Sequence, residues 1–452
     1  MFNSIIERFA TKSPVTVMVQ GLLERLLNPE LLDAWFEDVR DKQYTRIILF
    51  SSLVSMMLEV VCRVRGSVHA AYTASELKVS RVAVYDKLKQ MELTTSQELV
   101  RHISTEATTI VQELGAAHQP LVPGYRVKIL DGNCIESSHH RLGVLRETKA
   151  APLPGKSLVV FDPALELMID LFPCEDGHAQ ERSLLNGVLQ TVEMDDLWLA
   201  DRNFCVVSFL LGVASRKAFF VIRQHQQMPY TPLAELKEIA QTESGILYEQ
   251  PVSITDGQTT LQLRRIVLKL NTPTRQGETE LGLFTNLPPT VADAATVAQL
   301  YRTRWRIETG FQKLEAYLHS EINTLGYPKA ALFSFALAVV AFNIYAIVMA
   351  AIRAAHPKME IEEEVSDYYI AQEISATRNG MLIAIPEADW SIFSQVSTPV
   401  FCQMLLYLAQ QINFRHFKKH KRGPKKKPKP KTQFVGKPHV STAKLLAQNK
   451  QK

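Results

Sequence analysis

The sequence predicts an α/β fold: a central sheet flanked by helices, preceded by a helical domain, interrupted by a β-rich insertion and followed by further helices. Three observations carry this. Before about residue 118 apolar residues recur at helical spacing, as in LLERLLNPELLDAWF and TRIILFSSLVSMMLEVV. Short apolar runs bounded by Gly, Pro, Asp and Asn then take over: YRVKIL, KSLVVFD, LELMIDLF, LWLAD and AFFVIRQ. Between the third and fourth runs AQERSLLNGVLQTV returns to helical spacing. Alternating strands and helices of this kind build a sheet covered by helices.

Taken in order, residues 1–118 form a helical N-terminal domain and 119–225 the first part of the core. Within the first segment, GSVHAAYTASELKVSRVAVYDKLKQMEL reads as helix, polar turn, helix, with Ser80 as N-cap of the second. A helix-turn-helix of this shape would offer Arg81, Tyr85 and Lys87 to a DNA groove; an ordinary helical hairpin has the same pattern. Residues 226–292 turn to alternation (LYEQPVSITD, TLQLRRIVLKL, ELGLFTNLP), a small β-rich insertion. Residues 293–355 complete the core, 356–414 are helical, and 415–452 are a basic tail expected to lack fixed structure.

Composition narrows the function class. With 452 residues, 46% of them hydrophobic, the chain has enough apolar material for a large core and is not a disordered protein. Its charge of +5 is unevenly spread. Arg415 to Lys452 holds 14 Lys and Arg and no acid, leaving 37 bases against 46 acids upstream, a body of net −9. The run KKHKRGPKKKPKPK builds no core and its prolines oppose a helix, so it reads as an arm for electrostatic contact with nucleic acid, or else as a solvating tail. Five scattered cysteines without a C-x-x-C pair argue for reduced thiols and against a zinc or disulfide framework. Glu7 and Arg8 fall where a signal peptide needs apolar residues. Ala330 to Ile352 is uncharged and long enough to span a bilayer, but Ser334, Asn343 and Tyr345 within it favour a buried core helix over a membrane span.

Three carboxylates stand out chemically. Asp131 follows the apolar run YRVKIL and Asp201 follows DLWLA, which places each at a strand end where loops open a cleft. Asp at such a place is also ordinary turn chemistry. Glu308 lies in the basic, aromatic segment YRTRWRIETGFQKLE. At 3.6 residues per turn, Tyr301, Arg304 and Glu308 fall within about 60° of one helical stripe, with Trp305 at its border. Arg grips phosphate, Tyr and Trp stack on bases, and Glu binds hard cations.

The motifs DGNCIE, LPGKSLVVFDP, EDGHAQERSLL, LADRNF, LFTNLPP and YRTRWRIETGF occur in the order seen in DDE transposases of the insertion-sequence-four family, which this chain resembles from about Asp131 to Phe342. The resemblance implies an RNase H-like mixed sheet with a β-rich insertion between the second and third acids; the 107 residues from Asp201 to Glu308 leave room for it. It implies that Asp131, Asp201 and Glu308 are the catalytic acids and hold two divalent ions, Mg²⁺ with Mn²⁺ as substitute, about 3.5–4 Å apart. It further implies cleavage at transposon ends and strand transfer into target DNA, end binding by the N-terminal domain, a homodimer joining two ends, and a bacterial cytoplasmic, nucleoid-associated protein with no membrane part. Tyr301, Arg304, Trp305 and Arg306, with Arg81 and Lys87, are the expected DNA contacts.

Two positions depart from the family pattern. The lysine expected seven residues after the glutamate is Glu315 here, and Lys313 points elsewhere on the helix. The insertion strand ELGLFTNL lacks the tryptophan that receives a flipped base in some members, and offers only Phe284. Glu315 is the feature favouring the alternative, a catalytically degenerate relative that only binds DNA. His178 reads as structural, Glu181 and Arg182 as capping the following helix, and Cys134 and Cys205 as small packing residues.

Overall fold

The computed structural model describes residues 2–43, 47–274, 277–420, 434 and 436–451. Its strands are β1 (Arg126–Cys134), β2 (Ala151–Leu153), β3 (Lys156–Asp162), β4 (Leu167–Cys174), β5 (Asp196–Ala200), β6 (Phe219–Arg223), β7 (Thr231–Pro232), β8 (Lys237–Thr242), β9 (Gly245–Asp256), β10 (Thr259–Leu270), β11 (Glu280–Thr285) and β12 (His439–Ser441). The large sheet runs β4-β3-β1-β5-β6-β11-β10-β9-β7, with β8 also paired to β9. β1, β3 and β4 are antiparallel neighbours, whereas β1, β5 and β6 are parallel. This is the mixed, RNase H-like sheet flanked by helices that the sequence predicts.

The β-rich insertion is joined to the core sheet. β11 pairs antiparallel with β6, Phe284 opposite Ile222, and so fuses the insertion to the core sheet. The physical reason lies in β6, which would otherwise leave a row of open backbone groups along the edge of the core.

Alternation along the strands sorts side chains onto two apolar layers. Leu130, Val160, Trp198, Ala200 and Phe220 face one layer, with Val188, Phe209 and Val213 from the covering helices. Ile129, Val159, Leu197, Leu199 and Val221 face the other, which is continuous with the N-terminal helices and the central helix Pro328–Ala355. β5 is buried along its whole length, as expected of a strand with parallel neighbours on both sides.

The central helix is the apolar stretch noted in the sequence. Its most apolar stretch is 83% buried, packed against helices Phe50–Val61, Leu93–Glu113 and Thr398–Gln410 and against β4, so it is a core helix. Asn343, wholly buried, explains its own presence there. Its side-chain amide donates to Met168 O at 2.9 Å and its carbonyl accepts from Met168 N at 2.9 Å. This satisfies β4 beside the irregularity at Val160/Phe161. Asn343→Leu strands both backbone groups, and we expect a loss of about 1–3 kcal/mol in chemical denaturation; an unchanged midpoint would remove this explanation.

The tail also differs from expectation where it is described. β12 pairs in parallel with β2, and helix Thr442–Lys450 packs on the short helix Gly143–Arg146. Lys444 Nζ lies 3.1 Å from Asp176, and Ser441 and Thr442 are buried. The sequence HVSTAKLLAQ is not low-complexity: it carries β-branched and apolar residues that complete the open edge of β2. The basic run 421–433 lies outside the described residues.

Candidate active site

Asp131 does not end its strand, because β1 continues to Cys134 and keeps pairing with β3, Asp131 opposite Val159. On its other side, however, the parallel ladder with β5 stops at Leu130 opposite Ala200. Asp131 and Asp201 are therefore the next residues on two adjacent parallel strands, at the same level. Neighbouring strands lie about 4.8 Å apart, so register alone makes these two acids neighbours. Leu130 and Ala200 face the layer away from the central helix. By alternation, both acids point to the opposite side.

On that side lies the third acid. Helix Ala294–Thr303 breaks at Arg304 and a second helix, Trp305–Tyr317, begins with Glu308 in its first turn. The expected single helix is thus two, but Arg304 keeps helical backbone angles (φ −52°, ψ −32°), so the stripe runs through the break. Arg304 Nη1 donates to Asp131 Oδ2 at 2.8 Å and Nη2 to Glu308 Oε1 at 2.6 Å. One guanidinium ties the first acid to the third. Asp201 Oδ1 accepts from Asn203 N at 2.7 Å, and Asp131 Oδ1 from Gly132 N at 2.9 Å.

Arg304, expected as a phosphate grip, is here engaged with the two acids instead. Only 9% exposed, it lies over the Tyr301 ring at 5.9 Å and its two terminal nitrogens are given to carboxylates. The reason is electrostatic: half-buried acids at neighbouring positions favour a nearby cation. Arg306, likewise, donates to Glu166 at 2.6 Å, on a second stripe that with Lys313 and Tyr317 lines a cavity of about 130 Å³. Lys313 pairs with Asp367 at 2.7 Å. Tyr301 is buried, while Trp305 is 61% exposed and stays open to a base.

Other expectations sort similarly. Ser80 does cap its helix, accepting from Ala83 N at 3.2 Å. Arg81 and Tyr85 line a pocket with His69, Arg141 and Tyr327. Lys87 turns elsewhere: its ammonium lies 5.3 Å from the Phe36 ring centroid, and burial holds its pKa down. Six positions beyond Arg81, it sits about 120° away from it around the helix. Phe284 is fully buried against Tyr230 and is not placed to receive a base. Cys205 is a packing residue, but Cys134 is exposed. His178 is exposed, its N–H bonded to Asp176.

Glu181 does fall in the first turn of the short helix Glu181–Leu184, whose N-cap is Gln180, but its side chain and that of Arg182 also bond elsewhere. Glu181 Oε2 accepts from the Asn203 side-chain amide, and its carboxylate fills the space beside Gly132. Arg182 Nε donates to Asn203 O at 2.9 Å. The signal available in the sequence was the smallness of Gly132 directly after Asp131. A separate group, His118, Glu166 and Glu362, brings its ligand atoms within 4.8 Å of one another. Its acids already pair with Arg306 and Arg353 at 2.6 Å, and burial and Arg353 hold the His118 pKa down.

Residues 126–343 match the family model of the transposase DDE domain. That match supports a DDE transposase and covers the sheet from β1 to β11 together with both helices that carry Tyr301 to Glu308. No curated protein matches the chain. Transposase DDE domains generally work with divalent metal, and the donor chemistry here fits one. Asp131, Asp201 and Glu308 offer only hard, anionic oxygens. Burial pushes the Asp131 carboxyl up to about 6 in spite of Arg304, with Asp201 and Glu308 adding to the rise.

The sign of that shift gives a test. Folding raises the Asp131 pKa above its unfolded value of 3.8, so its contribution to stability is largest below about 4 and is lost as pH rises through about 6. A cation that binds the ionised carboxyl offsets this loss only above that range. We expect Mg²⁺ to raise the melting temperature clearly at pH 7.5 and scarcely at pH 5; an equal shift at both would contradict the assignment of Asp131 as a ligand.

Proposed function

We propose that this chain is a DNA transposase of the insertion-sequence-four type, cutting at transposon ends and joining the freed strands to target DNA. The observation that supports this best is the convergence of Asp131, Asp201 and Glu308 from β1, β5 and the following helix onto one side of the sheet. Divalent cations held there, Mg²⁺ or Mn²⁺, supply activation of a water or DNA 3′-hydroxyl and neutralise charge on the phosphate. The carboxylates hold and orient those ions. Arg304 fixes Glu308 relative to Asp131, and Tyr301 supports Arg304 from beneath. Trp305, exposed next to the acids, provides a stacking face for an unpaired base. Arg81, exposed on the N-terminal helical pair with Tyr85 beside it, serves end binding, and the basic run after His420 supplies attraction to the phosphate backbone.

Joining two ends calls for two copies of the chain, so we infer a homodimer in the DNA-bound assembly, acting on the bacterial nucleoid. The test is direct. Purified protein with a supercoiled plasmid carrying the inverted repeats that flank the gene should nick at the repeat boundary with Mg²⁺ and stop with EDTA. Metal-independent nicking, or none with bound ends, would reject the proposal.

A further inference from the structure

Glu181 is a carboxylate for which the chemistry above has no use, yet it touches the residue after Asp131 on β1 and the turn after Asp201. The β5 ladder ends at Ala200, so Asp201 lies beyond the last ladder pair, and its backbone is held only within the following turn, where its carbonyl accepts from Phe204 N at 3.2 Å. What holds its carboxylate is the Asn203 N–H, inside the single turn Arg202–Phe204. Asn203 is in turn gripped twice by the segment after β4: Glu181 Oε2 accepts from its side-chain amide, and Arg182 Nε donates to its carbonyl at 2.9 Å. The same Glu181 carboxylate rests against Gly132, next to Asp131, in space that a Cβ at position 132 would occupy.

We propose that Glu181 is a positioning residue of the candidate active site: acting through Asn203, it holds Asp201 in register with Asp131, and Gly132 is the clearance that admits it. The proposal rests on reading those two acids as the metal-holding pair. A turn of three residues has few bonds of its own. Without Glu181 the Asn203 amide loses its acceptor, the turn loosens, and the spacing of the two acids is no longer set. Partners that orient ligands in this way typically change metal affinity or activity by about 10–100-fold.

The test uses the full chain and two readouts, Mn²⁺ binding without DNA by calorimetry and single-turnover nicking of an end-bearing plasmid. Glu181→Ala should weaken both by about 10–100-fold. Glu181→Gln keeps an oxygen acceptor for Asn203 and should recover both to within a few-fold. Gly132→Ala should reproduce the Glu181→Ala loss by displacing the carboxylate, and the double variant should be no worse than either single one, because both break one contact. Wild-type values for Glu181→Ala, or additive losses in the double variant, would overturn the proposal. A Gln variant as weak as the Ala variant would also overturn it, by showing that the charge matters and the grip on Asn203 does not. If the wild-type chain neither binds Mn²⁺ nor nicks, the reading of Asp131 and Asp201 fails, and this role falls with it.

Discussion

Asp131→Ala, Asp201→Ala and Glu308→Ala should each abolish Mg²⁺-dependent nicking, a loss of at least about 10³-fold, while binding to transposon ends stays largely intact. The acids lie on the DDE-domain sheet and its following helix, and none of them lines the pocket that holds Arg81 and Tyr85. The three variants should differ in a second measurement. Asp131 and Glu308 share the Arg304 guanidinium, so removing either leaves a buried cation with one partner. Asp201 has no such bond to Arg304; its carboxylate holds a backbone N–H. Thermal melting without metal should therefore shift for the Asp131 and Glu308 variants and stay closer to wild type for Asp201→Ala. Undiminished nicking by any of the three would remove that residue from the catalytic set.

Lys128→Ala should be strongly destabilising, costing about 3–5 kcal/mol. Lys128 on β1 reaches Asp196 at the start of β5 at 2.7 Å, and both side chains are almost wholly buried. Asp196 also accepts from Glu193 N at 2.8 Å, and the ammonium lies 5.4 Å from the Trp198 ring centroid. Truncating the lysine leaves a buried carboxylate with one backbone donor. The pair ties together the two strands that carry Asp131 and Asp201, so the damage should reach the site. Lys128→Met with Asp196→Asn should restore much of the stability, since the uncompensated charge is gone. Urea denaturation of the single and double variants measures this, and a single variant within 1 kcal/mol of wild type would mean that the pair is incidental.

Much of the architecture was legible because its signals are local. The runs YRVKIL, KSLVVFD and LWLAD announce strands by composition, and Ser80 announces a helix start. The three acids were legible by their neighbours. What the sequence hid depends on partners distant along the chain. Nothing in YRTRWRIE says that Arg304 bonds an aspartate 173 positions earlier, and phosphate is the usual expectation for an arginine beside tryptophan. Glu181 looked like no more than a helix-start acid because its partners, Gly132 on β1 and Asn203 in the turn after β5, are distant along the chain. The ordered end of the tail was masked by averaging: fourteen bases hid a strand and a helix whose partners lie nearly 300 residues upstream.

The burial of helix Pro328–Ala355 has a consequence for how the chain comes into being. Helices Phe50–Val61 and Leu93–Glu113, and strand β4, leave the ribosome before it, whereas Thr398–Gln410, which closes its remaining flank, follows by more than forty residues. During that interval a greasy segment of bilayer-spanning length stands partly uncovered. Folding then competes with mistargeting and aggregation, and rapid overproduction should lose material to the membrane pellet, with slower synthesis or lower temperature returning it to the folded pool.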